Sequence, residues 1–219
     1  MVSALHGGPR RTLALILETY RLFVAISLPA QVRAEIERAQ AELRNSLPRG
    51  CVRWTKPEQF HLTLKFLGNV KSQRVDELES RLRRACEGFS PLPLRAERIG
   101  FFPDRRYPRV IWAWVHDGQE VLRALQQAVE TVARDFTTEK AEGKFTGHVT
   151  LGRCQGIRPP QAEMLSKLAI GMADRFFGAW TADTVELMRS ELTPNGARHT
   201  MLAAIPLADH AASGKLPPT

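Results

Sequence analysis

Cysteine is scarce in this 219-residue chain: Cys51, Cys86 and Cys154 are the only three, with no Cys-x-x-Cys pair and no histidine at metal-ligand spacing. So small and scattered a set excludes a disulfide framework and a structural zinc site. Long hydrophobic runs are also missing. The longest near the N-terminus, Leu13 to Leu17, falls far short of the roughly 20 residues that a bilayer crossing needs. Arg10-Arg11 and TLALIL look like the start of a signal peptide, but Glu18 comes too soon and no small-residue cleavage site follows. A cytoplasmic protein with no membrane partner is expected. No glycine-rich loop follows the first strand-like segment, so the dinucleotide-binding fingerprint is absent.

Acidic residues are in the minority, 23 against 31 Lys plus Arg, for a formal charge of +8. Most of the cations are arginines, which suit phosphate and fit an RNA partner. A GC-rich genome that writes arginine wherever a cation is wanted gives the same count, and no Lys/Arg run marks a basic tail, so charge alone leaves both readings open. With 43% hydrophobic and 25% charged residues the composition is that of a globular protein, and the length allows one generous domain or two small lobes sharing a core.

Residues 1–20 read as an N-terminal extension, an added helix or arm or a misassigned start, and residues 208–219 as a disordered tail with nothing to bury. Between them, 21–207 is expected to form one bilobal unit and a monomer. Strand patterns run through 21–27, 52–54, 60–67, 92–101, 109–116, 145–154, 185–190 and 199–205. Helical periods run through 31–47, 73–87, 119–136 and 160–168. Neighbouring long strands such as 92–101 and 109–116 favour antiparallel pairing, so the fold class is α+β.

The most informative feature is an internal echo. Phe60-His61-Leu62-Thr63-Leu64 and Gly147-His148-Val149-Thr150-Leu151 each carry His, apolar, Thr, Leu, with the histidines 87 positions apart. Multiplying the chain's own residue frequencies, two such matches arise by chance in roughly one chain in 10⁴. Strand alternation points His61 and Thr63 one way, and His148 and Thr150 likewise, while the apolar members enter the core. Two such faces meeting across a cleft gather two imidazoles and two hydroxyls around one point. Imidazole titrates near neutral pH and serves as acid or base, and threonine hydroxyls can hold phosphate oxygens. The set fits phosphodiester cleavage with no metal and no cofactor, because the neighbouring carboxylates of a metal-dependent phosphatase are missing. A single His-x-Thr on a half-buried strand is more often structural; it is the pairing that turns the reading to catalysis.

These residues, with RLFVAIS at 21–27, VRWTKPEQFHLTLKFLGNV at 52–70, FTGHVTLGR at 145–153 and LMRSELTPNGARHTMLA at 187–203, resemble the 2H phosphoesterase superfamily. More closely they resemble the RNA 2′,3′-cyclic phosphodiesterases, also called 2′-5′ RNA ligases. The resemblance implies two antiparallel sheets with outer helices around a central cleft. It also implies hydrolysis of a terminal 2′,3′-cyclic phosphate of RNA to a 2′-phosphomonoester, with weak 2′-5′ ligation in reverse. By position, His61 corresponds to the proton donor, His148 to the proton acceptor, and Thr63 and Thr150 to phosphate holders. Arg153 matches a phosphate-contacting arginine, yet strict alternation from His148 puts it on the wrong face, so a bulge or bend near Gly152 is required. Trp54 and Phe66 are candidates for base stacking or for core. Gly147 stands where relatives commonly have proline, which suggests a looser approach to the strand, and His199 where they often have tyrosine. Two other readings stay open: a 2H phosphodiesterase for a different small cyclic or 2′-5′-linked nucleotide, and an RNA-binding module in which catalysis is incidental.

Overall fold

The computed structural model describes residues 18–137, 139, 144–194 and 196–207. Nearly all of the expected extension and the whole expected tail lie outside them. Among the described residues, nine strands and four α-helices follow in chain order. They are β1 (Thr19–Ser27), α1 (Ala30–Asn45), β2 (Val52–Trp54), β3 (His61–Lys71), α2 (Val75–Cys86), β4 (Leu92–Phe102) and β5 (Val110–His116). Then come α3 (Val121–Ala133), β6 (His148–Cys154), α4 (Pro159–Gly171), β7 (Phe176–Ala182), β8 (Thr184–Thr193) and β9 (Gly196–Pro206). The first strand begins at Thr19, two residues before the sequence pattern placed it. β7 has no counterpart among the expected strands: FFGAWTA lacks alternation and is broken by Gly178, whose backbone lies at φ +140°.

All pairing is antiparallel, and the order is β7-β4-β5-β6-β3-β1-β8-β9, with β2 added to β6. The expectation of two separate sheets is corrected here, because the two halves join into one sheet. The junction is a single residue pair, Leu62 on β3 with Val149 on β6. Each half contributes four strands to the ordered path, the β6 half carrying β2 in addition, and the seam runs through the two His-x-Thr segments.

The helices cover one side of the sheet, and two of the four described, α1 and α3, are exchanged between halves. Helix α1 follows β1 but packs against β7, Val32 lying where Gly178 leaves room for it. Helix α3 follows β5 but packs against β3 and α2, while α2 also meets β9 and α4 meets β4. Ile36, Ala39 and Leu43 of α1 and Leu122, Leu125 and Val129 of α3 belong to one continuous apolar cluster with Leu62, Leu64, Val149 and Leu151. The apolar members of both motifs therefore point at the helices, which leaves the other face of the sheet for His61, Thr63, His148 and Thr150.

Candidate active site

Antiparallel pairing about Leu62–Val149 sets His61 toward Thr150 and Thr63 toward His148. All four side chains, half-buried, line one cleft of about 1100 Å³. The local backbone repeats as closely as the sequence does. On β3, Phe66 and Lys65 pair with Phe23 and Val24, but Thr63 pairs with Ala25, so Leu64 is left over as a bulge. On β6, Gly152 pairs with Ile111 and Thr150 with Trp112, so Leu151 is left over in the same way. A bulge resets the alternation. Arg153 accordingly turns to the cleft side, where it lines the cavity together with His148 and Thr150.

Its counterpart five residues after His61 is Phe66, 42% exposed, also on the cleft and 5.9 Å from the Phe23 ring. Trp54 sits across from Gly152, where a Cβ would meet both the indole and Val52; its ring packs partly on the core and borders the cleft.

A matched pair of glutamines holds the bulges. Gln40 of α1, 2% exposed, donates from Nε2 to the Leu151 carbonyl at 2.9 Å and to the Thr55 carbonyl at 2.7 Å. Gln126 of α3 donates to the Leu64 carbonyl at 3.4 Å. At each bulge a helix from the other half of the chain donates to the bulged residue's carbonyl, and the Leu151 carbonyl accepts the Thr55 amide as well, at 2.8 Å. Gly147 is packed rather than loose: its carbonyl accepts from the Val115 amide, and a Cβ there would run into the Val115 carbonyl.

Both histidines are oriented by the same device. His61 Nδ1 lies 2.7 Å from the Gln59 carbonyl and His148 Nδ1 2.8 Å from the Thr146 carbonyl, in each case two residues upstream. A carbonyl only accepts, so the proton sits on Nδ1 and the lone pair on Nε2, the nitrogen left for chemistry. Phe23 flanks His61 at 4.9 Å, and Phe102 meets His148 edge-on at 5.0 Å. Burial pulls the His61 imidazole down from 6.5 to about 4; the Gln59 carbonyl works against this, while His199 and His148 add to it.

His199 on β9 stands edge-on to His61 at 5.5 Å. Its own pKa is lowered by burial and by Arg21, and its Nδ1 is buried without a hydrogen-bond partner among the described residues. The Gln59 side chain also donates to the Ala197 carbonyl, tying the β8–β9 hairpin to the His61 segment. Among the described residues no group of three or more His, Cys, Asp or Glu side chains is placed to hold a metal.

The sequence pattern of the family described as LigT-like phosphoesterase matches residues 26–112. The RNA 2′,3′-cyclic phosphodiesterase of Methanothermobacter thermautotrophicus is 31% identical over 82% of this chain and 95% of its own length. That of Aeropyrum pernix is 33% identical over 77% and 94%. The chain belongs to the LigT-like phosphoesterase family. Solved structures of the fold agree. TT0787 of Thermus thermophilus superposes on this phosphoesterase with a TM-score of 0.66 at 29% identity, over 85% of this chain and 97% of that one. Escherichia coli LigT complexed with 3′-AMP gives 0.69 at 23% identity, over 88% and 100%.

Sequence reasoning named the four motif residues and Arg153 of this phosphoesterase. It passed over Gln40, Gln126, Gln59 and Phe102. The glutamines read as the polar face of a helix or loop, and their carbonyl partners are distant in the chain.

Proposed function

We propose that the protein hydrolyses the 2′,3′-cyclic phosphate at the end of an RNA to a 2′-phosphomonoester by two-histidine acid–base catalysis. The observation that carries this reading is the antiparallel meeting of the two His-x-Thr segments at the Leu62–Val149 pair, which gathers both imidazoles and both hydroxyls on one face. The names of the relatives above support the choice of substrate.

His148 Nε2 takes a proton from water as the water oxygen bonds to phosphorus. The bond from phosphorus to the 3′ oxygen breaks, and His61 delivers a proton to that oxygen. Thr63 and Thr150 donate to the non-bridging oxygens, and Arg153 offsets their charge. In the unliganded protein burial keeps His61 neutral at pH 7, so the phosphate anion itself must supply the field that charges it. With a 5′-hydroxyl in place of water the same steps, in the same direction, form a 2′-5′ linkage: the 5′ oxygen bonds to phosphorus as the bond to the 3′ oxygen breaks. Phe66 offers its exposed ring to the terminal base.

The test is hydrolysis of a 2′,3′-cyclic nucleotide in the presence of chelator. His61→Ala and His148→Ala are each expected to lower kcat by about 10²–10⁴-fold. A p-nitrophenyl phosphodiester, whose leaving group needs no proton, should restore rate to His61→Ala and not to His148→Ala. Full activity in either variant on the cyclic nucleotide overturns the mechanism, and restoration of the other variant reverses the roles.

A further inference from the structure

Strand β2 is three residues long and adds to the outer end of β6, pairing Val52 with Cys154, Arg53 with Arg153 and Trp54 with Gly152. Arg53 and Arg153 are thus direct cross-strand neighbours, both exposed and both lining the cleft. Like charges placed opposite one another weaken an antiparallel pair. Several arginines elsewhere are matched, Arg74 and Arg81 with Glu77, Arg83 with Glu79, Arg175 with Glu42 and Arg198 with Glu191. Among the described residues, neither Arg53 nor Arg153 meets a carboxylate. The nearby cations on the same cleft, Lys56 and Lys144, meet none either. At the pseudo-equivalent position of the other half stands Phe66, with no added strand beside it. The cleft therefore gathers Arg53 and Arg153 at the position where the other half presents Phe66.

We infer that Arg53, beside Arg153, provides a second phosphate site, which takes the phosphate on the 5′ side of the terminal nucleoside. The inference rests on the cyclic phosphodiesterase reading and deepens it, because it makes an oligonucleotide end, and not a nucleoside cyclic phosphate, the preferred substrate. Arg153 lies one step along the cleft face from Thr150 and reaches toward the reacting phosphate. Arg53 is one strand further out, about 5 Å away, and extends the positive field to the next phosphate along the chain. Bound phosphate relieves the repulsion that the two guanidinium groups otherwise impose, and planar guanidinium groups match its oxygens in pairs.

Three substrates test this on the full chain: cytidine 2′,3′-cyclic phosphate, the same molecule with a 5′-phosphate, and a dinucleotide ending in the cyclic phosphate. The wild type is expected to show kcat/KM about ten- to a hundredfold higher on the two that carry the second phosphate. Arg53→Gln should abolish that advantage and leave the first substrate unaffected; Arg53→Lys should retain part of it. The salt dependence of binding the dinucleotide should fall by about one phosphate contact in Arg53→Gln. Equal gains for the 5′-phosphate and the dinucleotide show that the phosphate itself is read, and a larger gain for the dinucleotide shows that the diester is preferred; both support the site if Arg53→Gln removes them. Loss of rate on all three substrates alike, or on none, overturns it. A wild type that hydrolyses none of the three overturns the cyclic phosphodiesterase reading instead.

Discussion

At the scale of single residues, His61 is where folding and chemistry pull against each other. In the unfolded chain its imidazole titrates near 6.5, while burial holds it near 4 in the folded protein. As pH falls below 6.5 the unfolded chain takes up a proton that folded His61 refuses, so stability drops until about pH 4 and changes no further on this account. The difference corresponds to about 3 kcal/mol. His199, also lowered by burial, adds to the fall over the upper part of this window. Glu77 and Glu191, whose pKa values are lowered by arginine partners, act only below their ordinary 4.5. Urea unfolding between pH 7 and 4 should therefore show a steep loss of stability in the wild type and a shallower one in His61→Gln; identical slopes would show that His61 keeps an ordinary pKa. Inorganic phosphate favours the imidazolium, so its binding should be accompanied by proton uptake and should weaken as pH rises. This is the same field that the proposed acid step requires.

At the scale of elements, the bulges at Leu64 and Leu151 decide what the cleft contains. Without them Phe66 and Arg153 would face the helices. Their carbonyls are held by Gln40 and Gln126, so those helix residues set the direction of a phosphate-facing side chain they never touch. Gln40→Leu removes the side-chain donor to the Thr55 carbonyl and one of the two donors to the Leu151 carbonyl, which keeps the Thr55 amide; the cost is about 1–3 kcal/mol for the buried acceptor left without a donor. It should also raise KM more than it lowers kcat, because Arg153 moves while the two histidines keep their own carbonyl partners. Gln40→Glu, of the same shape but presenting an acceptor to two acceptors, should not rescue the defect, whereas Gln126→Leu, which breaks a longer and less buried bond, should cost less. A KM unchanged in Gln40→Leu, with stability lost, would reduce Gln40 to a packing role. Period-2 alternation made the faces of both His-x-Thr segments legible in the sequence. The mismatch between alternation and Arg153 made one bulge legible too, with Gly152 as the hint. The matching bulge at Leu64 left no comparable mark, since Phe66 is at home on either face of a strand. β7 escaped notice because its aromatics run together across Gly178. Arg53 looked like any other arginine until β2 was seen to pair with β6 across about a hundred residues of chain.

At the scale of the whole molecule, the two halves are joined in two different ways. The sheet joins them by one residue pair, which alone would leave two units free to hinge at the active site. The helices join them far more firmly, because α1 leaves the half that contains β1 to cover the other, and α3 makes the reverse crossing. Each half then buries its sheet with a helix from the other as well as one of its own, and each bulge carbonyl takes a side-chain donor from the other half's glutamine. We expect the acid and the base, one from each half, to be held in register by this exchange, and the molecule to unfold as one unit. At about 0.7 kcal/mol per residue, the described part of the chain should give a calorimetric unfolding enthalpy of about 130 kcal/mol near 60 °C. One cooperative unit makes the van 't Hoff enthalpy equal to it, whereas two independent lobes would make the van 't Hoff value about half as large. A ratio near one, with loss of near-ultraviolet signal from Trp112 in one half and loss of phosphate binding at the same temperature, is the expected result. Two separate transitions would mean that the single Leu62–Val149 pair is the true hinge and that the distance between His61 and His148 varies freely.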